Sequence, residues 1–272
     1  MSEATTSAPA PVTAPVTVPA RPRAGRAVLA YAVTVYVFLL GVLAYSIGYF
    51  VGFAVPRGID QGSRWPVLVA VVVDLAVLGL FAVQHTVMAR PWFKRWLARR
   101  MPASAERATF VLAASAILAL TFWAWRPFGP ALWHLSGASA GVLLTVYAAG
   151  WVIALSSTFL ISHADLFGLR QAWLSARGTP YTPPPFTERG LYRQIRHPLM
   201  AGFVIIFWAT PVMTAGHLLF AAAATAYIAV GIAFEEHDLR LTLGEAYASY
   251  RARVPALVPR LVPGLRLRRR HE

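Results

Sequence analysis

Long apolar runs separated by short basic tracts dominate the chain. Six apolar stretches cover approximately residues 26–55, 66–88, 107–125, 137–161, 199–214 and 217–234. A bilayer core of ~30 Å takes about 20 apolar residues in helical form, a length the first four stretches meet or approach. The last two are shorter and are parted only by Ala215 and Gly216. That spacing predicts a hairpin of two helices rather than one long helix carrying Pro211, and a count of five spans stays open beside six. The predicted fold class is therefore all-α, a polytopic transmembrane helical bundle of five to six spans with a C-terminal cytoplasmic amphipathic helix.

Three tracts interrupt the apolar pattern. The first, RPWFKRWLARR, interleaves Trp92, Phe93 and Trp96 with Lys94, Arg95, Arg99 and Arg100, which reads as an interfacial helix with rings at headgroup depth. The second, residues 162–198, contains the run Pro183, Pro184, Pro185. That run excludes helix and favours an extended polyproline segment. A loop of this length inside a compact protein is usually either disordered or functional, and its flanking aromatics Trp173, Tyr181, Phe186 and Tyr192 favour order. In the third, residues 235–259, Leu239, Leu243, Tyr247, Tyr250 and Val254 recur at helical spacing, predicting one amphipathic helix that Pro255 ends. Gly41, Gly48 and Gly52 in the first span suit close helix contacts, the last two at GxxxG spacing.

Composition agrees, with 57% hydrophobic and 13% charged residues. Soluble domains carry far more charge. The net charge of +14 would suit nucleic acid if it formed one patch, but its distribution points elsewhere. With six spans and a cytoplasmic N-terminus, 22 Lys and Arg fall in inner segments and three, Arg57, Arg64 and Arg126, in outer ones. This is the positive-inside asymmetry of a multi-pass protein of the cytoplasmic membrane. The terminal run Arg266, Arg268, Arg269, Arg270 suits anionic lipid headgroups. Membrane lipids are thus expected partners; no nucleic acid is expected and no protein partner is inferred. The absence of cysteine excludes disulfides, thiolate-bound metals and a cysteine nucleophile. Residues 1–24 read as a disordered tail, 25–259 as the membrane domain and 260–272 as a basic tail.

The polar residues that remain gather at the cytoplasmic helix ends. Asp74, inside the second span, is either protonated or hydrogen-bonded to a neighbouring helix, or else belongs with His85, on the same helix face, to a polar stripe leading to a cavity. His85, His163, His197 and His237 map to one membrane face, which invites a metal or haem, yet none pairs at i,i+4 and no metal site is expected. Gly190, Leu191, Tyr192, Arg193 lead through Arg196, His197 and Pro198 into the fifth span. Proline suits a first helical turn, and helix-start amides beside Arg196 make a corner for an anion such as a carboxylate. Glu235 and Glu236 close the sixth span at a helix end where the dipole disfavours carboxylates. A plain ion pair with arginine would compensate them. So would a ligand bearing an ammonium and a ribose diol.

GLYRQIRHPLMAG followed by EEHDL, GEAYASY and VPALVP resembles the C-terminal signature of membrane methyltransferases related to isoprenylcysteine carboxyl methyltransferase. QHTVMARPWFKRW, ERATFVLAASAILALTFWAWRP and DLFGLRQAW are similar to the methanethiol S-methyltransferase branch and its NnrU-like relatives. The resemblance covers most of residues 80–260. It implies an S-adenosylmethionine site at the cytoplasmic face with Tyr192, Arg196, His197, Pro198, Gly202, Glu235 and Glu236 at matching positions, closed by Tyr247 and Tyr250; the placement of Arg196 and Glu236 at the two ends of one hairpin suggests that they hold opposite ends of the cofactor. Met200 departs from the tyrosine common in the broader family. The reaction so implied is methyl transfer to a small thiol, most readily methanethiol giving dimethyl sulfide. His85 and His163 are the candidate bases by location, with Asp165 as a possible orienting carboxylate. Alternatives are a methyltransferase for an isoprenylcysteine or lipid-like substrate and a non-enzymatic haem-binding or transport protein.

Overall fold

A computed structural model of the chain describes residues 22–259. Both predicted tails lie outside them, except that helix has already begun at Pro22. Among the described residues five helices are long and apolar enough to cross a membrane: α1 (Pro22–Tyr49), α2 (Val67–Ala89), α4 (Ala103–Ala124), α5 (Gly137–Ile161) and α9 (Ala215–Leu243). A short helix, α3 (Pro91–Ala98), joins α2 to α4. The chain is a multi-pass helical membrane protein.

Helix starts follow proline. Pro66 and Pro102 cap α2 and α4, while Pro91 and Pro198 occupy the first turns of α3 and α8 (Pro198–Trp208). In a first turn the missing N–H has no partner to lose. At 11 residues α8 rises ~16 Å, about half a bilayer core. Beyond it the chain turns extended, and Val212–Thr214 (β2) pairs antiparallel with Ala131–His134 (β1). The expected hairpin is therefore a half-height helix, a strand and a full span. Pro211 falls in the non-helical link.

The tract after α5 folds as two short helices, α6 (His163–Leu166) and α7 (Leu169–Ala176), then an extended proline-rich stretch and a 3₁₀ turn at Gly190–Arg193. α7 packs back against α1 and α4. The alternation of spans thus places the α2, α5 and α9 C-termini, the α4 and α8 N-termini and the whole 162–197 tract on one basic face.

Two expectations need correction. The C-terminal amphipathic segment is two helices, because α9 runs to Leu243 and α10 (Glu245–Arg253) starts after a break at Gly244, whose φ of +56° favours glycine. The stripe survives the break, since Tyr247, Tyr250 and Val254 still pack with Leu239 and Leu243. Nor do Gly48 and Gly52 make a helix interface. A Cβ on Gly48 would strike the Phe53 carbonyl, and Gly52 lies in the turn beyond α1, so both serve chain reversal.

Close helix contact occurs instead between α5 and α8. A Cβ on Gly202 would lie 2.7 Å from both the Gly150 carbonyl oxygen and the Ala154 amide nitrogen. Helices in lipid gain association through such tight backbone packing rather than through the hydrophobic effect. Asp74 follows its simpler reading. Its Oδ1 accepts the Arg126 amide at 2.8 Å, beyond the end of α4.

Packing at Gly202 makes a prediction. Gly202→Ala should cost about 1–3 kcal/mol through overpacking and lower the thermal midpoint in detergent. Gly231→Ala, where an added Cβ meets nothing within 4 Å, should be neutral or slightly stabilising, as helical Gly→Ala usually is. Equal effects at the two sites would remove the packing role from Gly202.

Candidate active site

Glu236 organises the C-terminal half of the basic face. Because α9 continues seven residues past it, the carboxylate is not at a helix end, and the dipole argument lapses. Its compensation is a buried cluster. Arg196 reaches Oε1 through Nε (2.8 Å) and Nη2 (2.6 Å), His197 Nε2 lies 3.1 Å from the same oxygen, and Arg251 Nε is 3.0 Å from Oε2. Arg196 and Glu236 thus meet directly rather than facing each other across a cleft, and the plain ion pair is the arrangement found.

The remaining Arg196 donor group also points into protein. Its Nη1 donates to the carbonyls of Arg251, at 3.2 Å, and Val254. The amides of Arg196 and His197 donate to the carbonyls of Pro255 (2.9 Å) and Ala256 (3.0 Å). The chain after α10 therefore binds the segment entering α8 and occupies the two amides just ahead of that helix.

Some polar groups around this cluster stay free for a ligand. The Glu235 side chain is 48% exposed, with Oε2 3.6 Å from His197 Nδ1. The Tyr247 hydroxyl is buried with no partner in the structure. Tyr250, by contrast, donates to the Tyr192 carbonyl at 2.6 Å. Phe186 packs against both tyrosines, its ring 5.4 Å from that of Tyr250. Pro198 and Gly202 serve the start and packing of α8. A half-exposed carboxylate held on one side by His197, together with an orphaned hydroxyl, suits a ligand rich in hydroxyl groups, such as a nucleoside.

His163 occupies a second region of the face. Thr158 donates to the Leu155 carbonyl at 2.7 Å, so its oxygen accepts from His163 Nδ1–H, also at 2.7 Å. Nε2 is then the lone-pair nitrogen, and it accepts from the Tyr36 hydroxyl at 2.7 Å. The ring stacks on Phe159 at 4.1 Å and meets Phe167 edge-on. Burial pushes the His163 pKa below its ordinary value, which keeps the imidazole neutral.

Asp165 does not orient His163. Its carboxylate pairs with Arg170 at 3.1 Å and accepts from Tyr181 at 3.0 Å. His85 lies among Phe81, Phe110 and Tyr227, with Nδ1 buried and unpartnered. Phe110 and Phe167, the rings beside His85 and His163, pack against one apolar cluster of Val35, Leu39 and Val111. The two candidate bases therefore border a common apolar region between α1 and α4. Tyr36 and Thr158 carried no signal in sequence, since their relevance arises only where α1 and the end of α5 meet His163 of α6. Among the described residues no group of three or more His, Cys, Asp or Glu is placed to hold a metal.

Methanethiol S-methyltransferase 2 of Bradyrhizobium diazoefficiens is 50% identical over 235 residues, 86% of this chain and 91% of the relative. Methanethiol S-methyltransferase of Mycobacterium tuberculosis is 49% identical over 230 residues, 84% of this chain and 94% of the relative. That of Crocosphaera subtropica is 43% identical over 233 residues, 85% and 91% of the two chains. The chain matches no family profile and no solved structure.

The cluster at Glu236 sets a pH dependence. Burial pushes the His197 pKa down, but the Glu235 and Glu236 carboxylates more than offset this and the net shift is upward. The stabilising contribution of the imidazolium is thus fully present below about pH 6.5, the ordinary histidine value, and is lost as pH rises through the raised folded value. Thermal unfolding across that range should show the stability advantage of wild type over His197→Gln shrinking with rising pH. A pH-independent difference would remove the charged pair.

Proposed function

Because the chain belongs to the methanethiol S-methyltransferase family, we propose that it transfers the methyl group of S-adenosylmethionine to methanethiol, releasing dimethyl sulfide, at the cytoplasmic face of the inner membrane. Identity of 43–50% to three named relatives over most of both chains carries this reading. The sidedness rests on the 22-to-3 division of basic residues.

When bound, the cofactor supplies a methyl group activated by a sulfonium charge. The protein's work is then to align the reactants, exclude water and take a proton. Glu235 and Tyr247 offer the free acceptor and donor for the nucleoside part, within a wall built by Tyr192, Arg196, His197, Pro198, Gly202, Glu236 and Tyr250. The Arg196–Glu236 pair acts as the frame of that wall.

The acceptor must become a thiolate. An apolar site such as that beside Val35, Leu39 and Val111 opposes ionisation of a thiol, so a nearby base matters. His163 is neutral, with Nε2 ready to accept. The thiol S–H donates to the Tyr36 oxygen as the Tyr36 O–H passes to Nε2, leaving a thiolate and an imidazolium. His85 faces the same apolar region and serves as the second candidate.

Headspace gas chromatography of the purified protein given methanethiol and S-adenosylmethionine should detect dimethyl sulfide. His163→Ala should lower kcat about 100-fold or more, the range of general-base removal, with cofactor affinity unchanged. Wild-type protein that binds the cofactor yet methylates only an isoprenylcysteine or a lipid would overturn the thiol assignment.

A further inference from the structure

S-Adenosylmethionine carries an α-amino acid, whose carboxylate calls for a cation. Arg196 cannot serve, because its guanidinium is committed to Glu236 and to the carbonyls of Arg251 and Val254. Another arginine on the same face is not so committed. Arg107, near the start of α4, borders a cavity of about 610 Å³ between α4, the end of α5, α7 and residues 178–181. Among the described residues its guanidinium makes one hydrogen bond, from Nε to the Leu166 carbonyl at 2.7 Å, and no ion pair. Both terminal nitrogens keep their N–H donors, in the fork geometry that matches a carboxylate.

Complementary groups line the same cavity. The Gln171 amide nitrogen donates to the Asp165 main-chain carbonyl at 3.1 Å, which fixes the direction of the amide, and Oε1 is left buried without a partner. Such an orphan calls for an explanation. Asp165 and Glu106 add carboxylates, each already facing one cation, Arg170 at 3.1 Å and Lys94 at 3.7 Å. The wall therefore offers a bare forked cation and a bare acceptor, beside two carboxylates that are each already paired. That combination fits a zwitterion with a carboxylate at one end and an ammonium at the other.

We infer that this cavity seats the α-amino-acid end of the methyl donor, with Arg107 clamping the carboxylate and Gln171 Oε1 accepting from the ammonium. The inference rests on the methyl-donor reading given under Proposed function. The chain ties this cavity to the Glu236 cluster. Tyr181 lines it, while Phe186, five residues on, packs against Tyr247 and Tyr250. Five extended residues reach at most ~18 Å, so one short loop borders both.

Calorimetry in phosphatidylcholine nanodiscs with S-adenosylmethionine and its decarboxylated analogue tests the assignment. Wild type should bind the carboxylate-bearing form about tenfold or more tightly, the scale of a charge-assisted pair. Arg107→Ala should bind the two forms alike, with affinity for the decarboxylated form unchanged, which also shows that the variant is folded. Arg107→Gln is read in the same way should the alanine variant not fold. A variant that keeps the full preference, or a wild type without one, overturns the inference while leaving the methyl-donor reading intact. Wild type that binds neither form overturns both. Phosphatidylethanolamine retained by wild type but not by Arg107→Ala, with the donor preference intact, would give the cavity to a lipid headgroup instead and overturn the inference.

Discussion

The buried carboxylate of Glu236 holds the C-terminal part of the basic face together. Burying a lone charge is costly, and removing one partner from a buried pair is costlier than never having built it. Glu236 avoids that cost by gathering Arg196, His197 and Arg251, which come from the entry to α8 and from α10. One side chain of α9 therefore fixes the half-height helix and the terminal helix in a common frame. The carbonyls of Pro255 and Ala256, paired with the amides ahead of α8, extend the same tie through the backbone.

This arrangement divides the work along the chain. The C-terminal third supplies a rigid polar wall with a few unspent groups, Glu235 and the Tyr247 hydroxyl. The N-terminal helices supply an apolar region edged by His85 and His163. A small apolar thiol partitions into lipid and can reach such a region from the side, and an uncharged sulfide product can leave the same way. The proline-rich loop lies between the two parts, with Tyr181 on Asp165 and Phe186 on α10. Its order is thus explained by contacts at both of its ends.

Much of this was legible in the residues. The stretch read as 137–161 matches α5 to the residue, and the hairpin after Pro198 was legible, although its link lies at residues 209–214 around Pro211 and the expected separators Ala215 and Gly216 open α9 instead. The identity of the cluster was legible too, because RHP and EE stand at the two ends of that hairpin. Its geometry was not. Whether Arg196 grips a ligand or Glu236 depends on where a side chain 40 residues away points, and no periodicity records that. The same holds for Tyr36 and Thr158 around His163, and for the β1–β2 pairing, where neighbours come from distant segments. The break at Gly244 was missed because the apolar stripe continues across it; the glycine itself was the available signal. Arg107 read as one more positive-inside charge, and only its bare terminal nitrogens at a cavity set it apart.

On the proposed reading, Arg196 and Glu236 act as one unit that shapes the donor site. A double-mutant cycle of Arg196→Met and Glu236→Gln, read as S-adenosylmethionine affinity by calorimetry, tests it most directly. Each single change should weaken binding about tenfold or more. The double variant should bind no worse than the weaker single, a coupling of about 1.4 kcal/mol or more. Losses that simply add, with coupling near zero, would mean that the two residues contact the cofactor independently and would contradict the account.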